Sequence, residues 1–338
     1  MGEVTQNWCN GVRWIAGQPQ GHYESWFVRA NHPTRPLAFW IRYTIFSPAV
    51  KPGDLASAEG ELWAVFFDGE AGSNQALQRT YRPQECAFEP ATLGVQVGPA
   101  QLGPTSLSGM LDDPDLQRSI SWDLRYSSPT RPLLTLDRAL YDGPFPKAKA
   151  LVASPLACFV GDLHVNGEHW PIDSWVGSQN HNWGERHTER YAWGQVAGFD
   201  DDPNAFLEVA TAQVKLGPLL TPPLTVLVLR LGDEEYALNT LSRAMRSQGS
   251  YDFFQWHFRA ANNRVQVTGS IAAAAADFAV LPYRNPPGGI KTCLNSKIAR
   301  CNLTVRRPGR SLQTLSTRAR AAFEILTGTQ EHGQYPSV

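Results

Sequence analysis

Segment after segment of this chain alternates apolar and polar side chains with period two, and only a pleated strand gathers such residues on one face. In LAFWIRYTIF at 37–46, Phe39, Ile41, Tyr43 and Ile45 share one face, while Trp40, Arg42 and Thr44 share the other. In SISWDLRY at 119–126, Ile120, Trp122, Leu124 and Tyr126 point one way and polar residues the other. Further strand candidates span 22–30, 61–68, 75–81, 159–165, 190–199, 205–214, 224–231, 252–259 and 264–270. Turn signals such as Asp68-Gly69 and Asn166-Gly167 separate most of them. There are 28 glycines and 25 prolines, and charged residues are only 18% of the chain, so turns are many and solvated helix faces few. The pattern predicts an all-β sandwich or barrel. One helix is expected, over 312–326, where Leu315, Ala319, Ala322, Phe323 and Leu326 form a stripe and Gly328 is a stop signal. The run at 271–277 is read as a strand.

With 30 basic and 31 acidic side chains the net charge is −1, which argues against a nucleic-acid or anionic-membrane partner held by bulk electrostatics. No apolar run approaches the ~18 residues of a membrane span. The N-terminal residues lack the regions of a signal peptide, and the five scattered cysteines have no zinc-ligand spacing, so reduced thiols and a cytoplasmic location are expected. The nucleophile-elbow, phosphate-loop, dinucleotide-fold and zinc-protease motifs are all missing, and no cofactor is called for.

One stretch is unusual. Residues 175–195 pack amides, imidazoles, carboxylates and indoles beside a strand, as a loop with its own hydrogen-bond network or as a site. A weak echo links ELWAVFFD at 61–68 with YAWGQVAGFD at 191–200 and hints at duplication. The Pro-, Gly- and Lys-rich segment 141–154 is a candidate crossing between halves.

GHYESWF at 21–27, AFWIRYT at 38–44, and above all NHNWG at 180–184 followed by YAWG at 191–194 carry a resemblance. Over about residues 10–310 the chain resembles the carotenoid hydratase (hydroxyneurosporene synthase) and lipocalin-like attachment-protein superfamily. Tocopherol cyclases and decalin-forming Diels-Alder cyclases are more distant relatives by fold. The resemblance implies two tandem lipocalin-like (calycin) antiparallel β-barrels, divided here as 1–180 and 181–338, the second carrying the short C-terminal helix. It leaves the reaction open.

In such a site a carboxylic acid buried among apolar rings keeps its proton near neutral pH, and aromatic faces hold a carbocation. Glu24, Glu185 and Asp173 are the candidate acids, and His181 or His187 a candidate general acid or base. Trp26, Trp40, Arg42, Asn180, Asn182, Trp183, Tyr191 and Trp193 are candidate pocket residues. Each has a plainer role: Glu24 could pair with Arg42, Glu185 could be a surface ion pair, and Trp183 could lock the joint between halves. The resulting expectation is a cofactor-independent cyclase, hydratase or isomerase acting on a polyene, terpenoid or polyketide in an aromatic-lined barrel cavity. The alternatives are a carrier of lipophiles and a metal-dependent enzyme using the segment from His164 through His169 and His181 to His187. Whether the pocket lies in one barrel or at the seam, and the oligomeric state, stay open.

Overall fold

A computed structural model describes residues 4–51, 57–329 and 331–338. Among them, twelve strands form a first antiparallel sheet: β1 (His22–Asn31), β2 (Leu37–Ser47), β3 (Glu59–Asp68), β4 (Ser73–Tyr81), β5 (Cys86–Phe88), β6 (Val95–Val97), β7 (Ala100–Leu102), β8 (Ser106–Asp113), β9 (Arg118–Ser127), β10 (Leu133–Leu134), β11 (Ala148–Val165) and β12 (Glu168–Gly184). The second sheet begins with β13 (Arg190–Ala197) and β14 (Phe206–Gln213). After the small hairpin β15 (Lys215–Leu216) and β16 (Leu219–Leu220), it continues with β17 (Leu224–Leu231), β18 (Glu234–Leu238), β19 (Gln248–Asp252), β20 (Gln255–Ala261), β21 (Gln266–Ala272), β22 (Ala279–Arg284), β23 (Ile290–Arg306) and β24 (Gln313–Thr327). Two short helices, α1 (Gln6–Asn10) and α2 (Leu241–Arg246), complete the regular structure. No helix among the described residues is long and apolar enough to cross a membrane.

The two sheets repeat one topology. The first runs β4-β3-β2-β1-β12-β11-β9-β8-β7-β6-β5, with β10 beside β11. The second runs β18-β17-β14-β13-β24-β23-β21-β20-β19, with β22 beside β23. In each, the first strand pairs with the last, and the two longest strands lie side by side. By this order β13–β14 corresponds to β1–β2, so the echo between 61–68 and 191–200 joins hairpins that do not correspond. The chain passes between sheets at 185–189, not at 141–154, the second half of which belongs to the start of β11.

Each sheet curls toward its own far end. In the first, β4 meets β8, and an Arg79 guanidinium nitrogen donates to the Asp112 carbonyl at 2.6 Å. In the second, β17 meets β19 and β20. There Gly249 is required, because a Cβ would stand 1.9 Å from the Thr211 hydroxyl. Large side chains pack in both interiors. Trp26, Phe39, Tyr43, Trp122 and Phe159 pack in the first, with the Trp122 indole donating to the Tyr43 hydroxyl at 3.2 Å. Trp256, Phe258, Phe278 and Phe323 pack in the second.

The outer face of β1–β3 is covered too. Phe27, Trp40, Trp63 and Phe67 pack against Leu281, Tyr283, Cys293 and Leu326 of the second sheet. That second covering explains why β1 and β2 are buried throughout, whereas β9 alternates and keeps a wet face.

Three expectations change. The C-terminal helix is strand β24, paired on both sides with β13 and β23. Its last half is buried on both faces, with Phe323 and Ile325 in the barrel and Leu326 at the seam. Register shifts against β23 also break the alternation. These two effects produced a run that imitates a helical stripe. The 271–277 run ends its strand at Ala272 and makes a 3-10 turn at Ala275–Asp277. The polar stretch 175–195 is mostly strand, β12 and β13, joined by a short link. All five cysteines are free.

The close approach of β1 and β12 is testable. A Cβ on Gly177 would lie 1.7 Å from the Arg29 carbonyl oxygen, so Gly177→Ala is expected to lose about 1–3 kcal/mol in urea unfolding. Wild-type stability would contradict this packing.

Candidate functional site

Because strand side chains alternate, the residues of β1, β2 and β12 that face away from the first barrel meet the outward residues of β13, β14, β17 and β24. Where these faces part, they leave a cavity of about 200 Å³, far more than the ~10–15 Å³ that one water needs on the same measure. The first sheet contributes Tyr23, Phe27, Trp40, Arg42, Asn180 and Asn182, and the second Tyr191, Trp193, Glu208, Tyr283 and Glu324. An apolar flank is added by Ala210, Ala212, Val226, Leu136 and Leu140. The cavity lies at the seam and not inside either barrel.

A network of buried polar groups floors it. The Arg29 guanidinium donates to the Gln195 side-chain oxygen at 2.8 Å and to Asn31 Oδ1 at 2.7 Å. Ser178 Oγ also donates to that Gln195 oxygen, at 2.6 Å. The Gln195 amide then donates to Asn180 Oδ1 and Glu208 Oε2, each at 2.9 Å. Glu208 further accepts from the Trp193 indole at 2.8 Å and the Thr135 hydroxyl at 3.1 Å. Burial pushes the Glu208 carboxyl up to about 7 despite these three donors. A carboxyl on the cavity wall is therefore shared between its acid and anion forms near neutral pH.

Nearby, Lys297 is wholly buried and its Nζ lies 2.7 Å from Glu324 Oε1. Burial lowers its pKa, and Glu324 opposes the shift. Asn295 donates to the same oxygen at 3.1 Å. His187 stacks on Tyr23 with ring centroids 4.1 Å apart and donates from Nε2 to the Arg284 carbonyl at 3.1 Å. Burial and the Arg42 charge push it down to about 3, so it is a neutral ring.

Six of the expected pocket residues do converge here: Trp40, Arg42, Asn180, Asn182, Tyr191 and Trp193. Trp26 does not. It lies within the first barrel, stacked on His181 at 4.7 Å, with its indole donating to the Asn10 carbonyl at 3.0 Å. Trp183 packs instead with Cys9 and Tyr141, beside Trp8, and so anchors the N-terminal segment rather than the joint between sheets.

Glu24 is buried but is not the neutral acid expected, and it shares no face with Arg42. Its oxygens accept from the Arg13 and Trp14 backbone amides at 2.8 and 2.7 Å. His181 Nε2 lies 2.8 Å and His22 Nε2 3.1 Å from them. Burial alone would raise its pKa, but the hydrogen bonds from His181 and His22 outweigh it and hold the carboxylate at about 2. His181 borders the cavity, yet both ring nitrogens are engaged, Nδ1 by the Cys9 carbonyl at 2.6 Å. The pair ties the N-terminal segment down and leaves no group free for proton transfer.

Glu185 is an exposed ion pair with Lys147 at 2.8 Å, and Asp173 is exposed. His164 and His169 stack on each other at 4.8 Å on the β11–β12 hairpin, with His169 bonded to Asp162. They do not converge with His181 or His187, and no group of three potential ligands is placed to hold a metal among the described residues.

The residues missed were Glu208 and Glu324. Each is the one acidic side chain in an apolar strand, FLEVATAQ and RAAFEILT, on the face opposite Val209 or Phe323. A lone carboxyl among alanines on one strand face was the available signal.

Known proteins place this architecture. No family model matches the chain, and no curated protein does. A protein of Nitrosomonas europaea assigned as an AttH superposes with a TM-score of 0.59 at 14% identity, covering 96% of each chain. Kievitone hydratase from Nectria haematococca gives 0.55 at 11% identity over 97% of each, and CghA 0.53 at 11% over 94% of this chain and 93% of that one. The chain has their fold. It is the lipocalin-like barrel architecture, built here twice.

The Glu24 cluster makes a pH prediction. Its folded pKa is depressed from 4.5 to about 2, so the stability it contributes is fully present above about pH 4.5 and is lost as pH falls toward about 2. Glu24→Gln is expected to flatten the acid limb of the unfolding curve by roughly 3 kcal/mol, measured by urea titration from pH 6 to 2.

Proposed function

We propose that the protein is a cofactor-independent isomerase or lyase, a cyclase or hydratase, acting on an apolar polyene, terpenoid or polyketide bound in the seam cavity. The observation that carries this reading is Glu208: a buried carboxyl with a pKa raised to about 7, on the wall of a largely apolar cavity. A carrier needs no such group, and burying one without a use is costly.

Glu208 Oε1 accepts from Trp193 and Thr135, and Oε2 from Gln195. These donors stabilise the carboxylate left after the proton is given to an alkene carbon or to a carbonyl oxygen. The resulting cation is drawn to aromatic faces by about 2 kcal/mol or more when desolvated, and Trp40, Trp193 and Phe27 supply such faces. Closure by a second alkene yields a ring, and capture by water yields an alcohol. Loss of a proton back to Glu208 restores the acid. The fold shared with a kievitone hydratase lends support to this class.

The test begins with organic extraction and native mass spectrometry of the freshly purified protein, followed by turnover of what is bound. Glu208→Gln is expected to lower kcat about 10²–10⁴-fold while the ligand still co-purifies. In the wild type, kcat is expected to fall as pH rises through about 7, where Glu208 loses its proton. A bound ligand recovered unchanged, or full activity in the variant, would overturn the assignment.

A further inference from the structure

Arg42 is 4% exposed and lies on the cavity wall. Among the described residues, no acceptor stands within hydrogen-bond distance of its buried Nε. The guanidinium carbon instead stands 4.4 Å from the centroid of the Tyr283 ring. The carboxylates whose field it feels are bonded elsewhere: Glu61 to Arg284 at 2.6 Å, and Glu324 to Lys297 at 2.7 Å. The other rings around it, Tyr23, Tyr191 and neutral His187, bring no anion.

Compare Arg29 on the adjacent strand. It is equally buried, and each of its guanidinium nitrogens donates to a named oxygen. Leaving the donors of a buried cation unmade costs several kcal/mol, and the planar fork of a guanidinium matches a carboxylate with two parallel bonds. A cation in this setting is completed by a ligand.

We propose that Arg42 is a carboxylate-binding residue of the seam cavity, so that the ligand is an amphiphile with one carboxylate seated on Arg42 and an apolar body extending toward Glu208. The proposal rests on the seam as a ligand cavity. The register supports the two-ended layout. Arg42 pairs with Phe27, and Phe27 with Asn180, so two strand spacings, about 10 Å, separate Arg42 from the residue that shares Gln195 with Glu208. One end anchors a charge and the other end holds a proton. An uncharged hydrocarbon would leave the Arg42 donors unsatisfied, so the layout selects against it.

The experiment compares decanoic acid with methyl decanoate at pH 8, titrated against the intact protein by tryptophan fluorescence and calorimetry. The acid is expected to bind the wild type at least about tenfold more tightly than the ester, as charge-assisted hydrogen bonds of this kind warrant. Arg42→Met is expected to erase that preference while keeping ester affinity, and Arg42→Lys to keep part of it. Glu208→Gln removes an anion from the same cavity at this pH and is expected to strengthen the preference, not erase it. Thermal unfolding checks that each variant is folded, and the wild-type comparison needs no variant. Equal binding of acid and ester by the wild type overturns this proposal and leaves the cavity reading standing. Binding of neither overturns both, and a preference that persists in folded Arg42→Met overturns the role of Arg42.

Discussion

Arg29 donates from all three guanidinium nitrogens across the seam, to the Gln195 side chain and carbonyl and to the carbonyl of Arg320, and along its own strand to Asn31. An ion shut between two sheets is tolerable only when its donors are met. Meeting them fixes Gln195, since an amide whose oxygen is claimed by Arg29 and Ser178 must turn its nitrogen toward Asn180 and Glu208. The placement of the cavity carboxyl therefore descends from one buried cation on β1. The same bonds hold the two sheets in one relation, so site and assembly share their parts.

Two glutamates show how surroundings alone divide a chemistry. Glu24 and Glu208 are both buried on strands. Glu24 receives two backbone amides and two histidines and is held as an anion at about 2. Glu208 receives an indole, an amide and a hydroxyl, and desolvation outweighs them, so its pKa rises to about 7. The number of donors is similar. Imidazoles that can carry charge sit beside one carboxyl and not beside the other, and this decides which is locked and which can exchange a proton.

Much of the framework was legible from alternation, because barrel strands with one buried face write their period plainly. The division of β9 into Ile120, Trp122, Leu124 and Tyr126 against polar residues was right for that reason. Alternation fails where a strand is buried on both sides. The last half of β24 is such a strand, and its small and apolar residues imitate a helix. The short strands β5, β6 and β7 carry too few residues to show any period. Four wall residues of the site, Asn180, Asn182, Tyr191 and Trp193, were readable because they lie in or just after NHNWG, and Trp40 and Arg42 because they share one face of β2. Glu208 and Glu324 were not, since only tertiary packing brings their strands to the same cavity. Glu24 and His181 were conspicuous in sequence for a structural reason, the fastening of the N-terminal segment.

The seam cavity belongs to the surfaces between the two barrels. The room offered to a ligand is therefore independent of the number of strands or the girth of either barrel. It is set by the bulk of outward side chains such as Ala210, Ala212 and Val226, none of which belongs to either barrel core. Substitution on that flank can reshape what fits while the two hydrophobic cores keep their composition. The shape of the cavity and the packing of the two barrel cores are thus written on opposite faces of the same strands.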